Sequence, residues 1–219
     1  MRIQIRSFAM IGTGVAAIAA ALLVPGQLAL SADHLDPPGR TDPNVTTRAD
    51  TPADIADIYA FYDANNLYYA ISFAGPQLPG VAAFYDPNVL YTVNISTNGP
   101  ATSADISIRF RFGAATNGTG SGISVENLPG VNGALVGPVE TILTKDGVQV
   151  YAGLRDDPFT FDSMGFRETR ATSTIRFRAD RNFFGGKNDT VVVLSIPRSR
   201  VGNGPLDINT TTARFGGLL

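Results

Sequence analysis

The chain has 219 residues, a formal net charge of −2 and no cysteine. A weakly acidic chain without a stripe of Lys or Arg is poorly suited to a phosphate backbone, so we expect no nucleic-acid partner. Without cysteine, the chain has neither a disulfide framework nor a lipidated cysteine. Its stability must therefore come from a hydrophobic core or from bound ions.

Residues 1–32 have the layout of a secretory signal peptide. Arg2 and Arg6 make a basic start, an apolar run follows from Phe8 to Val24, and small residues at Ala29–Ala32 suit a cleavage site. The apolar run is near the lower length limit for a membrane anchor, but no basic stop-transfer flank follows it. We therefore expect cleavage, a single exported domain over 33–219, and a periplasmic or extracellular location without a membrane span.

Apolar and polar residues alternate with period two in several segments after the leader, which is typical of half-buried β-strands. The segment 190–196 is apolar almost throughout, as in a central strand buried on both faces, and Asp146-Gly147 suits a hairpin turn. The predicted strands are 67–73, 89–95, 106–112, 139–144, 148–153, 174–178 and 190–196. The predicted loops, rich in Gly, Asn or Pro, are 113–122 and 128–138.

Helix signals are confined to one segment. Thr51 is a suitable capping residue and Pro52 suits the first turn, so we predict at most a short helix at 52–59. Turn sequences recur about every 8–12 residues, and helical patterns do not alternate with the strands. The chain is therefore predicted to be all-β, an antiparallel β-sandwich or a barrel-like sheet pair with long loops rich in Gly and Asn.

Charged residues gather in three segments of this weakly charged chain. The first is the start of the mature chain, which holds the only histidine, and the second is the 50–57 segment. The third is the Arg-Asp-Asp-Pro-Phe-Thr-Phe-Asp run at 155–162. Because uncompensated buried carboxylates are costly, we predict that the three segments converge. Their candidate ligands and clasp residue are Asp33, His34, Asp36, Asp54, Asp57, Asp156, Asp157, Asp162 and Arg155.

Three kinds of site fit these residues. In the leading interpretation Arg155 clasps Asp54 or Asp57 through a bidentate ion pair and fixes the N-terminal segment to the sheet. In the second, the carboxylates bind Ca²⁺, which takes about six to eight oxygen ligands. In the third, His34 and neighbouring carboxylates form a transition-metal or catalytic site.

Catalytic motifs are absent from the sequence, which contains no Gly-x-Ser-x-Gly elbow, no His-Glu-x-x-His and no phosphate-binding glycine loop. Adjacent acids such as Asp156 and Asp157 are the main candidates for a glycosidase-like pair. The leading interpretation is a non-enzymatic envelope protein with a binding or assembly role and an envelope protein or a glycan as partner. The alternative is a secreted hydrolase that uses Asp carboxylates.

Three motifs resemble those of a bacterial secreted family named domain of unknown function 4331. They are the His34-Leu-Asp-Pro37 opening, Ala53-Asp-Ile-Ala-Asp-Ile-Tyr-Ala-Phe61 and Tyr151-Ala-Gly-Leu-Arg-Asp-Asp-Pro-Phe-Thr-Phe-Asp162. The opening departs from the commoner Ser-His-Arg-Glu-Ala-Pro form of that family. The resemblance implies a bacterial source, export and a site built from these motifs, and it implies no particular activity.

Overall fold

A computed structural model describes residues 3–4, 50–98, 103–115 and 118–215. Within these ranges the chain forms strands, one α-helix and two single 3₁₀ turns, at Thr51–Ala53 and Arg198–Arg200. The helix, α1, is Ser163–Thr172. The strands are β1 Ile3–Gln4, β2 Ile55–Tyr62, β3 Asn66–Gln77, β4 Val89–Ser96, β5 Ile106–Ala114, β6 Ser121–Glu126, β7 Leu135–Pro138, β8 Leu143–Lys145, β9 Val148–Asp156, β10 Asn188–Pro197 and β11 Asp207–Arg214.

The strands form two antiparallel sheets. The first has the order β1-β11-β4-β5-β6-β7 and the second has the order β2-β3-β10-β9-β8. This architecture confirms the prediction of an all-β antiparallel sandwich. Cleavage of the predicted leader would remove β1, which pairs only with the start of β11, and would leave the first sheet with five strands.

The core lies between the inner faces of the two sheets. In β3 the alternating residues Leu67, Tyr69, Ile71 and Phe73 are buried, as the period-two pattern predicts. The Phe73 ring lies 4.6 Å from the ring of Tyr91 in β4, measured between centroids, so side chains of the two sheets are in direct contact. Alternating burial on one face is the reason that the strand predictions at 67–73, 89–95, 106–112 and 190–196 are confirmed.

The predicted helix at 52–59 is wrong. Pro52 does lie in a helical turn, but this is the short Thr51–Ala53 segment, and β2 begins two residues later. β2 pairs with β3 along its length, with a bulge between Ile55 and Asp57. The ladder with β3 outweighs the local capping signals, because tertiary pairing routinely overrides propensity. Asp54 and Asp57 consequently do not share a helix face.

The predicted strand at 174–178 is also wrong. Every residue from Ala171 to Asp180 is exposed, and the described structure has no strand there. Alternation stabilises a strand when one of its faces packs on a core, and this segment has no such face. The predicted 139–144 strand is shortened to β8, and β7 lies within the predicted loop 128–138.

The hairpin between β8 and β9 is confirmed. Asp146 and Gly147 both have positive φ, 49° and 79°, which is the left-handed pair that a two-residue hairpin turn requires. Leu143 pairs with Val150, and this register brings the residues before β8 alongside the end of β9. The turn therefore positions part of the charged motif that begins at Tyr151.

Candidate functional site

The Tyr151–Asp162 motif spans the point where the chain leaves the second sheet. β9 ends at Asp156, opposite Asn188 at the start of β10. One residue further, the backbone N–H of Asp157 donates to the carbonyl of Lys187 at 2.8 Å. Residues 158–186 therefore leave the sheet and return to it at one place. We call these residues the aromatic excursion.

The first half of the motif surrounds Glu140. Its carboxylate accepts hydrogen bonds from the Tyr151 hydroxyl, from the Leu154 backbone N–H at 2.7 Å and from Arg155 Nη1 at 3.2 Å. The Arg155 guanidinium also lies 4.3 Å from the centre of the Tyr151 ring. Gly153 completes the arrangement, because a Cβ there would lie 2.6 Å from Glu140 Oε2.

Arg155 therefore forms an ion pair with Glu140, not the predicted clasp with Asp54 or Asp57. The Arg155 and Glu140 side chains are 55% and 48% exposed. An exposed pair of this kind contributes about 0–1 kcal/mol. The proposed role of Arg155 in fixing the N-terminal segment is corrected accordingly.

Replacing Glu140 with Gln is expected to remove a pH-dependent part of the stability. Burial raises the pKa of Glu140, but the hydrogen bonds from Tyr151 and Leu154 and the charge of Arg155 outweigh burial and lower that pKa overall. A carboxylate with a lowered folded-state pKa stabilises the fold above its unfolded pKa of about 4.3, and this contribution is lost as pH falls through the folded-state pKa. Thermal melts between neutral pH and pH 3 should show wild type and Glu140→Gln converging on acidification. Parallel curves would contradict this assignment.

A set of buried carboxylates lies at one end of the second sheet. Asp54, Asp57 and Asp157 are buried, and so is Asp189, which the sequence analysis did not single out. The Tyr59 hydroxyl donates to Asp57 Oδ2 at 3.1 Å. Burial raises the pKa of Tyr59, and the negative charges of Asp57, Asp157 and Asp189 raise it further. Two of the three predicted segments therefore approach each other around this tyrosine.

Gly75 makes room for the most deeply buried of these acids. A Cβ on Gly75 would collide with the carboxylate of Asp189, whose exposed fraction is 0%. Asp189 is the second residue of β10, immediately before the buried Thr190. The absence of a side chain at Gly75 is therefore what allows β3 to lie over this carboxylate.

Asp162 belongs to a different network. It caps α1, since Oδ1 accepts from the Gly165 N–H at 2.8 Å, and Oδ2 accepts from the Arg178 N–H at 2.9 Å. Arg181 Nη2 lies 2.8 Å from the same Oδ2. Burial raises the pKa of Asp162, but these hydrogen bonds and the charge of Arg181 lower it overall. Asp162 therefore organises the aromatic excursion and does not join the acids around Tyr59.

The remaining predicted ligands do not complete a metal site. Asp156 is exposed at the end of β9, whereas its neighbour Asp157 is buried. Asp33, His34 and Asp36 lie outside the described residues. In the part of the chain that the structure describes, no three His, Cys, Asp or Glu side chains are placed to hold a metal ion. Ca²⁺ binding by the full set therefore stays a prediction.

A buried clasp does fix the segment before β2, but Arg214 forms it. The Arg214 guanidinium makes a two-pronged ion pair with Asp50, and Nη1 lies 2.8 Å from Asp86 Oδ2. All three side chains are buried. The hydrogen bonds and charges of the two carboxylates raise the pKa of Arg214. This triad joins the end of β11 to the residue before the 3₁₀ turn and to the loop between β3 and β4.

The second half of the motif starts an aromatic nucleus outside the core. Phe161 lies within 6.1 Å of Phe159, Phe166 and Phe177, measured between ring centroids. Phe159 also contacts Phe184, which contacts Phe183. None of these six phenylalanines belongs to the described core between the sheets. The excursion therefore has its own small hydrophobic centre.

Comparisons with known proteins add no relative. A scan against models of protein families, a search of curated proteins and a search of solved structures each found no match. The resemblance to domain of unknown function 4331 therefore stays a prediction. Among the described residues, no helix combines the length and apolar character needed to cross a membrane.

Proposed function

We propose that this chain is an exported, non-enzymatic β-protein of the bacterial envelope whose binding role is carried by the aromatic excursion. The observation behind the proposal is the surface of that excursion. Met164 is 59% exposed and Ile175 is 75% exposed, and the partly exposed rings of Phe177 and Phe183 lie on the same excursion. Apolar surface that is exposed as a patch, and not as scattered single residues, typically marks a binding site.

The local construction of the excursion supports a binding role. Asp162 spends its hydrogen bonds on the α1 cap, on Arg178 and on Arg181, all within the excursion. Arg181 also pairs with Glu168 of α1. These polar contacts hold a segment whose outer apolar side chains are not used by the sandwich core. An ordered segment with exposed aromatics is suited to hold a partner such as an envelope protein or a glycan.

Export is supported by the leader and by the family resemblance, and processing of the leader tests it. We expect exported protein to begin at Ala32 or Asp33, because small residues precede the charged pair Asp33-His34. N-terminal sequencing of protein from the envelope and the medium measures this. Recovery of the intact Met1–Val24 segment in the membrane fraction would contradict both the cleavage and the proposed location.

Ca²⁺ binding is a separate part of the proposal and has its own test. A bound ion would stabilise the folded state by about 2.7 kcal/mol at a hundredfold excess over its dissociation constant. Chelator should then lower the melting temperature of the full chain, and added Ca²⁺ should restore it. An unchanged melting temperature would remove Ca²⁺ from the account and would leave the binding role of the excursion untouched.

The alternative function, a secreted hydrolase, is supported by the acids around Tyr59, since clustered carboxylates can act as an acid and base pair. It differs from the binding proposal in a measurable way. A hydrolase predicts turnover of a glycan or ester substrate that Asp157→Asn abolishes. Binding by the excursion predicts no dependence on Asp157 beyond any loss of stability.

A further inference from the structure

We infer that the aromatic excursion docks on an anionic phospholipid surface through its tip, residues 171–180. This inference rests on the proposed binding role and names the chemistry of the partner. All ten residues of the tip are exposed. Ile175 is its most exposed apolar residue, and Phe177 is 42% exposed while its ring stays 5.9 Å from that of Phe161. The tip is therefore an ordered protrusion anchored on the phenylalanine nucleus.

The charge of the excursion is opposite to that of the chain. Residues 158–186 carry five cationic and three anionic side chains, a formal charge of +2, whereas the whole chain carries −2. Arg178 pairs with Asp180, and Arg181 pairs with Asp162 and Glu168. These internal pairs use all three anionic side chains of the excursion.

Three arginines remain for a partner. Arg167, Arg170 and Arg176 are exposed and form no ion pair within the described part of the chain. Arg167 and Arg170 lie on α1, and Arg176 lies between the two apolar residues of the tip. Cationic side chains that flank exposed apolar ones are the combination by which interfacial segments bind anionic lipids.

The shape of the tip favours a lipid surface over a protein pocket. A protruding segment with every residue exposed offers no concave site of its own, so a folded partner would have to supply a matching groove. A bilayer interface accepts Ile175 and Phe177 without such a groove, and aromatic rings are favoured at the headgroup level. The headgroup phosphates at the same depth complement the three arginines.

Flotation of the full chain with vesicles tests the inference. Vesicles of phosphatidylcholine containing phosphatidylglycerol should bind the protein, and pure phosphatidylcholine vesicles should bind it much more weakly. Ile175→Ser with Phe177→Ser should lower the partition coefficient by at least about tenfold, because both apolar side chains lose their buried area. Arg167→Gln, Arg170→Gln and Arg176→Gln together should lower it by roughly a hundredfold, at about fivefold per charge.

Matched controls exist elsewhere on the surface. Ile142 is 65% exposed between β7 and β8, and Arg111 is exposed on β5. Ile142→Ser and Arg111→Gln should leave vesicle binding unchanged, because neither residue lies on the excursion. All substituted residues are exposed, so melting temperatures should stay close to wild type. A melting temperature equal to wild type in a variant that no longer binds vesicles shows a lost contact and not a lost fold.

Two outcomes would overturn the inference, and they are distinguishable. No binding to phosphatidylglycerol vesicles, with Ile175- and Phe177-dependent binding to isolated envelope proteins or glycans, would replace the lipid partner and keep the proposed function. Wild-type binding of the Ile175→Ser, Phe177→Ser variant to vesicles, proteins and glycans alike would contradict the lipid inference and the binding role of the excursion together.

Discussion

Arg214→Ala is expected to lower the free energy of unfolding by about 3–5 kcal/mol. The substitution removes the only cation described between Asp50 and Asp86 and leaves two buried carboxylates without their ion-pair partner. Such acids lose the hydration of the unfolded state and gain no compensating charge. Equilibrium urea unfolding of wild type and variant measures the loss. Arg155→Ala is the matched control, because its exposed pair with Glu140 is worth about 0–1 kcal/mol.

A triple variant shows where the cost of Arg214→Ala comes from. Replacing Arg214, Asp50 and Asp86 together with apolar residues of similar size removes the stranded charges as well as the attraction. Buried ionic groups replaced in this way often leave stability unchanged or increased. We therefore expect the triple variant to be more stable than Arg214→Ala. A single variant as stable as wild type would show that the triad is not a clasp.

The sequence predicted the strands that bury one face. β3, β4 and β5 alternate because their inner residues fill the core and their outer residues meet solvent. β11 has little of this pattern, since Asn209 to Thr212 are polar and Ile208 is its main buried side chain. It is held by its ladder with β4. Backbone pairing of this kind leaves no periodic trace in the side chains, so β11 was missed.

The helix α1 had a local signal that was overlooked. Asp162 is a favourable N-cap residue, and Arg170 in the last turn suits the helix dipole. Gly165 and two threonines weaken the helical propensity of the segment. The capping contact of Asp162 was therefore interpreted as a candidate metal ligand. Its partners, Arg178 and Arg181, lie too far along the chain for sequence spacing to identify them.

The two ion-pair networks differ in how far sequence reasoning could reach. The predicted hairpin around Asp146-Gly147 has Leu143 opposite Val150, and the same register continued places Glu140 opposite Gly153. The observed bond from the Glu140 N–H to the Ala152 carbonyl agrees with that placement. The partner of Arg155 could thus have been predicted. Arg214 and Asp50 lie 164 residues apart, and nothing local to either residue indicates the other.

Removal of the aromatic excursion is the second prediction with a large expected effect. Because Asp157 and Lys187 face each other across the ladder, residues 158–186 can be replaced by Asn-Gly, the two-residue turn that suits a β9–β10 hairpin. The described core between the sheets contains no phenylalanine of the excursion. We therefore expect the replacement to keep the sandwich folded, with a cooperative melt, and to abolish binding to anionic vesicles.

The most direct test of the account is flotation of wild type and of this replacement variant, side by side, with phosphatidylglycerol-containing vesicles. The account predicts that wild type floats with the vesicles while the replacement variant stays in the lower fractions and still melts cooperatively. A folded replacement variant that floats as wild type does would contradict the central claim, since the binding surface would then lie on the sandwich and not on residues 158–186.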